Sequence, residues 1–333
     1  MRSARPGARR PSLESRGRVL NALALHIERS GSGAPLVLWH GWGLNLRVFD
    51  SLRGALGATG VSWRTEAVDL PGHGLSPWRE EGSDAVLARL VGSLPAGSTL
   101  LGWSLGGQFA LRAALAAPER VARLVLVGAT PRFTSAPGWP QGQPPESLSL
   151  MQSRLAEDYR RTVGEFLELQ VRGSRDAAQA GAALRAALLR HGEAEPEALA
   201  QMQARLAEDY RRTVGEFLEL QVRGSRDAAQ AGAALRAALL RHGEAEPEAL
   251  AAGLDWLARH DLRDSLARVR QPALVIAGQH DRVTPPAASE ALAAALPRAR
   301  YLQVARAAHA PFLSHPLEFL TALLGFLADA EAA

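Results

Sequence analysis

Apolar and polar positions along this chain change period several times, and the changes mark out its elements. Ala34–Trp39 is a short apolar run ending in His40-Gly41-Trp42-Gly43, the pattern of a buried strand that feeds a glycine loop. Arg47–Leu56 has weak helical spacing. Val61–Leu70 reads as a second strand, closed by the turn cluster Pro71-Gly72-His73-Gly74. Asp84–Leu94 has helical spacing again. The apolar run Thr99–Trp103 stops at Ser104, a helical pattern follows over Gln108–Ala117, and Val121–Val127 is another buried strand. Strands that alternate with helices and lack hairpin signals predict a mostly parallel sheet with crossover helices, an α/β fold.

The alternation breaks at Thr130. Pro131–Pro145 is loop-like, and Ser147–Arg259 is helical throughout. The α/β pattern then returns: a strand at Pro272–Gly278, a helix at Ala287–Ala295, a strand at Arg300–Val304 and a closing helix at Pro316–Ala328. An all-helical block between two strands of one sheet predicts a cap over the sheet's C-terminal edge, where open α/β sheets bind ligands. The expected organisation is a disordered arm over 1–19, a core over 20–130 and 265–333, and a cap over 131–264.

The cap holds a tandem repeat, 151–201 and 202–252. Arg154–Ala200 recurs letter for letter as Arg205–Ala251, and one substitution, Ser153 against Ala204, separates the flanks back to Met151 and Met202. Each copy predicts a helix (Leu155–Val171 in the first), a Gly173-Ser174 break, a second helix (Asp176–His191) and a restart at Pro196. Across the junction, Glu197–Leu220 predicts one continuous helix.

Composition narrows the function. The 333 residues are 47% hydrophobic and 22% charged, enough apolar content for a real core. No cysteine is present, which excludes disulfides and thiolate chemistry and fits a reducing, cytoplasmic setting. Every basic residue is arginine, so lysine bases and Schiff bases are excluded as well. The arm carries six arginines against the single acid Glu14, while the whole chain is only +4. The body is therefore near neutral, with no basic face for nucleic acid. No apolar run is long enough to span a membrane, and no residues have metal-ligand spacing.

Gly102-Trp103-Ser104-Leu105-Gly106 is G-x-S-x-G at a strand-to-helix junction, which pushes a serine hydroxyl out at a helix N-terminus. A serine nucleophile needs a base, an orienting acid and an oxyanion site. Asp281 follows the strand at Ala273–Ala277, and His309 follows the last strand, each on a loop, in the order Ser, Asp, His. Ser104, Asp281 and His309 are thus the candidate catalytic residues. The N–H groups of Leu105 and Trp42 are the candidate oxyanion donors. Asp255, Asp261 and Asp264 read as capping or ion-pair residues. His280 should point away from the site, His315 should start a helix, and His40 should be a hydrogen-bonded structural residue.

The strings His40-Gly41-Trp42-Gly43-Leu44-Asn45, Asp69-Leu70-Pro71-Gly72-His73-Gly74, Gly102-Trp103-Ser104-Leu105-Gly106-Gly107 and Ala307-Ala308-His309-Ala310-Pro311-Phe312 resemble the α/β-hydrolase superfamily. More narrowly, they resemble its pimeloyl-[acyl-carrier protein] methyl ester esterases, as does Asp158–Val163 with Phe166–Gln170. The resemblance implies the α/β-hydrolase fold and ester hydrolysis that frees a carboxylate for biotin synthesis. It implies an acyl carrier protein as partner. No cofactor is expected, and the expected state is a cytoplasmic monomer. It assigns the acyl-contacting phenylalanine to Phe166 or its duplicate Phe217, and one carrier-protein contact to Arg161 or its duplicate Arg212; the family's other basic cap positions are Glu165, Ala178 and Ala182 here, and the nearby Arg160, Arg172, Arg175 and Arg211 are the further candidate contacts. Two other readings stand beside it: a general short-acyl carboxylesterase, and an inactive hydrolase-like binding protein whose pocket the extra copy blocks.

Overall fold

A computed structural model describes residues 24–158, 161–163 and 241–329 of the chain. Among these, seven strands form one sheet: β1 (Ile27–Ser30), β2 (Ala34–Trp39), β3 (Trp63–Val68), β4 (Ser98–Trp103), β5 (Val121–Val127), β6 (Ala273–Gly278) and β7 (Ala299–Val304). Their spatial order is β1-β3-β2-β4-β5-β6-β7. All neighbours run parallel except β1, which pairs antiparallel with β3. The sequence pattern misses β1. It is four residues long, and half of it is exposed, so it carries too little periodicity to register.

The central strands are apolar runs because both of their faces are covered. Leu100, Leu101, Leu124, Val125, Leu126, Val275 and Ile276 are fully buried. The flanking helices are α1 (Asp50–Ala58), α2 (Ser83–Ser93), α3 (Leu105–Ala116), α4 (Pro145–Glu157), α5 (Pro247–Arg259), α6 (Pro286–Ala295), α7 (Pro311–Ser314) and α8 (Pro316–Asp329). α5 begins at Pro247, the second-copy equivalent of the Pro196 restart.

One expected helix is corrected. The pattern predicts continuity from Leu155 to Val171, but α4 ends at Glu157 and helical structure resumes over Arg161–Val163. Asp158 sits between them in extended conformation, and its Oδ1 accepts a hydrogen bond from Arg161 N at 3.0 Å. A carboxylate that caps an orphan N–H starts a new helical turn and ends the old one. The predicted helix Glu197–Leu220, the 1–19 arm and most of both repeat copies lie outside the described residues.

The described parts of the insert come from both copies. α4 and Arg161–Val163 end in the first copy; Arg241–Ala251, which leads through α5, ends the second. Val163 lies on Gly43, where an added Cβ would be 3.5 Å from Val163 Cγ1 and 3.9 Å from Leu250 Cδ2.

Candidate active site

Ser104 lies between β4 and α3 with φ +56° and ψ −117°. This left-handed backbone is rare for a residue with a Cβ and costs of order 1–3 kcal/mol. The local sequence makes the turn possible. A Cβ on Gly106 would run into the carbonyls of Trp39 and His40, and one on Gly102 into the backbone of Gly106. Only glycine lets strand and helix approach this closely. Ser104 is partly exposed, and α3 starts at the next residue, with the Leu105 N–H in its unbonded first turn.

Asp281 and His309 arrive from the far side of the sheet, after β6 and β7. His309 Nδ1 and Asp281 Oδ2 are 2.7 Å apart, both side chains fully buried. The other carboxylate oxygen, Oδ1, accepts from Val283 N at 2.9 Å and Thr284 N at 2.8 Å. An ionised carboxylate only accepts, so the imidazole proton sits on Nδ1 and Nε2 is left as the acceptor. Nε2 is buried and has no hydrogen-bond partner among the described residues. Trp103 steadies the ring: its Nε1 donates to His309 O at 2.9 Å, and the two rings lie 5.5 Å apart.

The loop after β2 completes this edge. A Cβ on Gly41 would lie 3.2 Å from Ser104 Cβ, which puts the His40–Gly43 turn directly beside the serine. Trp42 is buried, and its Nε1 donates to Leu250 O on α5 at 2.8 Å. Gly253 of α5 faces it; a Cβ there would lie 2.7 Å from Trp42 Cδ1 and 3.5 Å from Leu105 Cδ2. The inserted helix therefore seats on the two residues expected to supply oxyanion donors.

The remaining candidates sort clearly. Asp255 pairs with Arg259 at 2.7 Å, and Asp261 pairs with Arg132 at 2.9 Å and Arg263 at 2.7 Å. His280 is exposed, and His315 precedes α8 and accepts from Phe319 N at 3.0 Å. Arg161 is exposed and helical. Phe166, Phe217, Arg160, Arg172, Arg175, Arg211 and Arg212 lie outside the described residues.

Two features escape a reading of the sequence. Asp69, at the end of β3, is fully buried; it accepts from Leu46 N at 2.8 Å and Leu75 N at 2.9 Å and meets His242 Nε2 at 2.7 Å. Around it the second-copy segment is stitched to the core. Asn45 Nδ2 donates to Gly243 O at 3.0 Å, Glu246 N to Gly72 O at 2.7 Å, and Trp78 N to Glu246 Oε1 at 3.1 Å. The signal available in the sequence was an acid at a strand end inside a turn cluster, which is not specific. Second, His26, Glu28 and His242 bring ligand atoms within 4.8 Å of one another. Glu28 is already paired with Arg47 and Arg53, so a cation would have to displace two guanidinium groups. No helix among the described residues is long and apolar enough to cross a membrane.

Known proteins resemble this chain in sequence and fold. The family model described as alpha/beta hydrolase fold matches residues 34–316. A protein of Nitrosomonas europaea named pimeloyl-[acyl-carrier protein] methyl ester esterase is 36% identical over 299 residues, 90% of this chain and 97% of the relative. One of the same name from Xanthomonas oryzae pv. oryzae is 36% identical over 308 residues, 92% of this chain and 99% of the relative. Among solved structures, an esterase from Exiguobacterium antarcticum superposes with a TM-score of 0.64 at 22% identity, over 91% of this chain and 95% of the other. A thermophilic esterase from Thermogutta terrifontis gives 0.62 at 24% identity, over 92% and 93%.

Proposed function

Since the chain belongs to the alpha/beta hydrolase fold family, and within it to the pimeloyl-[acyl-carrier protein] methyl ester esterases, we propose that it hydrolyses the methyl ester of a pimeloyl group carried on acyl carrier protein, in biotin synthesis. Ser104 Oγ attacks the ester carbonyl while His309 Nε2 takes its proton. The carbonyl oxygen becomes an oxyanion that receives the N–H groups of Leu105 and Trp42. The tetrahedral intermediate collapses, methanol leaves with the proton from His309, and the pimeloyl chain is left esterified to Ser104. Water, deprotonated by His309, attacks that ester; the second intermediate collapses, Ser104 Oγ leaves with the proton from His309, and the free carboxylate is released. Asp281 holds the imidazole tautomer and stabilises the imidazolium.

The observation that carries this reading is the 2.7 Å His309–Asp281 pair with a bare, buried Nε2, on the same sheet edge as a serine held at φ +56°. Residues 131–264 serve as the cap, 20–130 and 265–333 as the catalytic core, and 1–19 as a solvated arm. Phe166 or Phe217 lines the acyl path, and Arg160, Arg161, Arg172, Arg175, Arg211 and Arg212 are the carrier-protein contacts. The enzyme works as a cytoplasmic monomer without nucleic acid, membrane or cofactor.

The test is release of methanol from pimeloyl-carrier-protein methyl ester, alongside fluorophosphonate labelling of the wild type and of Ser104→Ala. Turnover and labelling by the wild type, both abolished in the variant, are expected. An unlabelled wild type would overturn the serine mechanism. Hydrolysis of small aryl esters with none of the carrier-protein ester would shift the substrate to a short-acyl ester.

A further inference from the structure

The loops after β2 and β3 leave the sheet side by side, because Trp39 of β2 pairs with Val68 of the parallel β3. Each loop carries one buried histidine, and their bonds are reciprocal. His40 Nδ1 lies 2.8 Å from Gly41 O on its own loop, while its Nε2 accepts from Leu70 N on the other loop at 2.9 Å. His73 Nδ1 lies 3.1 Å from Pro71 O on its own loop, while its Nε2 accepts from Gly43 N at 3.3 Å. A carbonyl only accepts and a backbone N–H only donates, so both rings are neutral with the proton on Nδ1. The rings themselves lie 5.3 Å apart. Burial lowers the pKa of both, which keeps each Nε2 available as an acceptor.

From this geometry we propose that His40 and His73 form a cross-brace that aims the Trp42 N–H at the oxyanion, His40 being a positioning residue for the reaction. The inference rests on the proposed role of Trp42 as a donor. Gly41 C=O and Trp42 N–H belong to one planar trans peptide and point in opposite directions. The bond from His40 Nδ1 to that oxygen therefore fixes where the N–H points. His73 holds the following peptide through Gly43 N, so Trp42 stands between two pinned peptide planes. The loop needs this support. Gly41 and Gly43 flank Trp42, Gly43 has φ +76°, and glycine-rich segments lose much conformational freedom when ordered. An oxyanion donor gives most when it is fixed before the charge develops.

The two nitrogens of His40 separate by substitution. Asparagine places an amide N–H near the Nδ1 position and keeps the bond to Gly41 O. Glutamine places its oxygen near the Nε2 position and keeps only the bond from Leu70 N. Full-chain wild type, Ser104→Ala, His40→Asn, His40→Gln, His40→Ala and His73→Asn are assayed on an aryl ester. The assay also measures affinity for a trifluoromethyl ketone, whose serine adduct carries an oxyanion.

His40→Ala and His40→Gln should lose about 10- to 100-fold in kcat, less than the roughly 10²–10³ for outright loss of a donor, with KM little changed. Ketone affinity should fall by the same factor, His40→Asn should recover most of both, and His73→Asn, which keeps the Pro71 O bond and loses the acceptor for Gly43 N, should show a smaller loss in the same direction. Folded His40→Gln and His73→Asn with unchanged kcat and ketone affinity would overturn the brace. So would His40→Asn as impaired as His40→Ala, since a role in folding alone does not distinguish the two nitrogens. Should His40→Gln not fold, His40→Asn against His73→Asn carries the comparison. Turnover by Ser104→Ala would instead overturn the serine mechanism, independently of the brace.

Discussion

At the scale of single residues, the surroundings of His40, His73 and His260 keep them neutral, and this makes stability depend on pH. Burial lowers the pKa of His40 and His73, and burial with Arg112 alongside takes His260 to about 4. His260 lies on Arg112 Nη1 at 3.1 Å and Ser83 Oγ at 3.2 Å, with Asp84 on the same arginine. In the unfolded chain these rings titrate near 6.5. Between the two values the unfolded state binds more protons, so stability is complete above the unfolded pKa and drains away as pH falls toward the folded one. Asp261, held to about 2 chiefly by its hydrogen bond from Arg263, stays ionised across this window. Urea unfolding should therefore show stability falling from pH 7 to pH 5. His260→Gln should flatten that slope by up to about 1.4 kcal/mol per pH unit near pH 5. An unchanged slope would mean that His260 is protonated in the folded protein.

The same scale shows how far individual residues were legible. Ser104, Asp281 and His309 stood out in the sequence as candidate nucleophile, acid and base because each follows an apolar run, and a loop at a strand's C-terminal end is a place a pattern can locate. His40 was legible only as a hydrogen-bonded histidine. Its partners, Gly41 O and Leu70 N, are backbone atoms, and one of them lies 30 residues away, so nothing in the residue types announces the bond.

At the scale of elements, α5 is the piece that joins insert and core. Its helical start at a repeat proline was visible as a punctuated apolar pattern. Its seat was not, because that depends on one glycine facing one tryptophan. Gly253 lets α5 lie on Trp42 and Leu105, with Leu250 O receiving the indole N–H. Gly253→Ala would favour the helix intrinsically by about 1 kcal/mol, yet it drives a methyl to 2.7 Å from Trp42 Cδ1. Overpacking of this kind costs about 1–3 kcal/mol. The variant should lose thermal stability and kcat together, as the loop proposed to hold the oxyanion moves with Trp42. A more stable variant with full activity would show that α5 is not seated this way. The break at Asp158 belongs to the same scale. The helical period runs straight through it, and only the cap to Arg161 N reveals that a new turn begins.

At the scale of the whole molecule, the repeat sets up a choice between identical segments, and the fold resolves it at the ends. His191–Ala200 and His242–Ala251 are the same ten residues. The segment docked on Asp69, Asn45 and Gly72 is the second, and it alone continues into Gly253 and Trp256, which pack on Trp42 and on Phe109 and Trp78. At the other end, the first copy supplies Leu155, Thr162 and Val163, all buried, in continuation of α4. Excision of one period, for instance 164–214, removes none of these residues. The shortened chain should fold with Tm changed by less than roughly 2–4 °C, the equivalent of about 1 kcal/mol, and should keep its esterase activity. Loss of folding would place essential contacts inside the excised period. A gain in activity would mean that the extra period obstructs the site.

The sequence by itself determined the alternating α/β order, the interrupting helical block, and the serine, aspartate and histidine at the ends of their strands, because each is written in local periodicity and in residue type. The tertiary structure decided the antiparallel edge strand β1, the reciprocal bonds of His40 and His73, and the choice of which end of which repeat copy meets the core. These depend on which loops the strand order brings together. Two identical segments carry identical local information, so only their different neighbours in space can tell them apart.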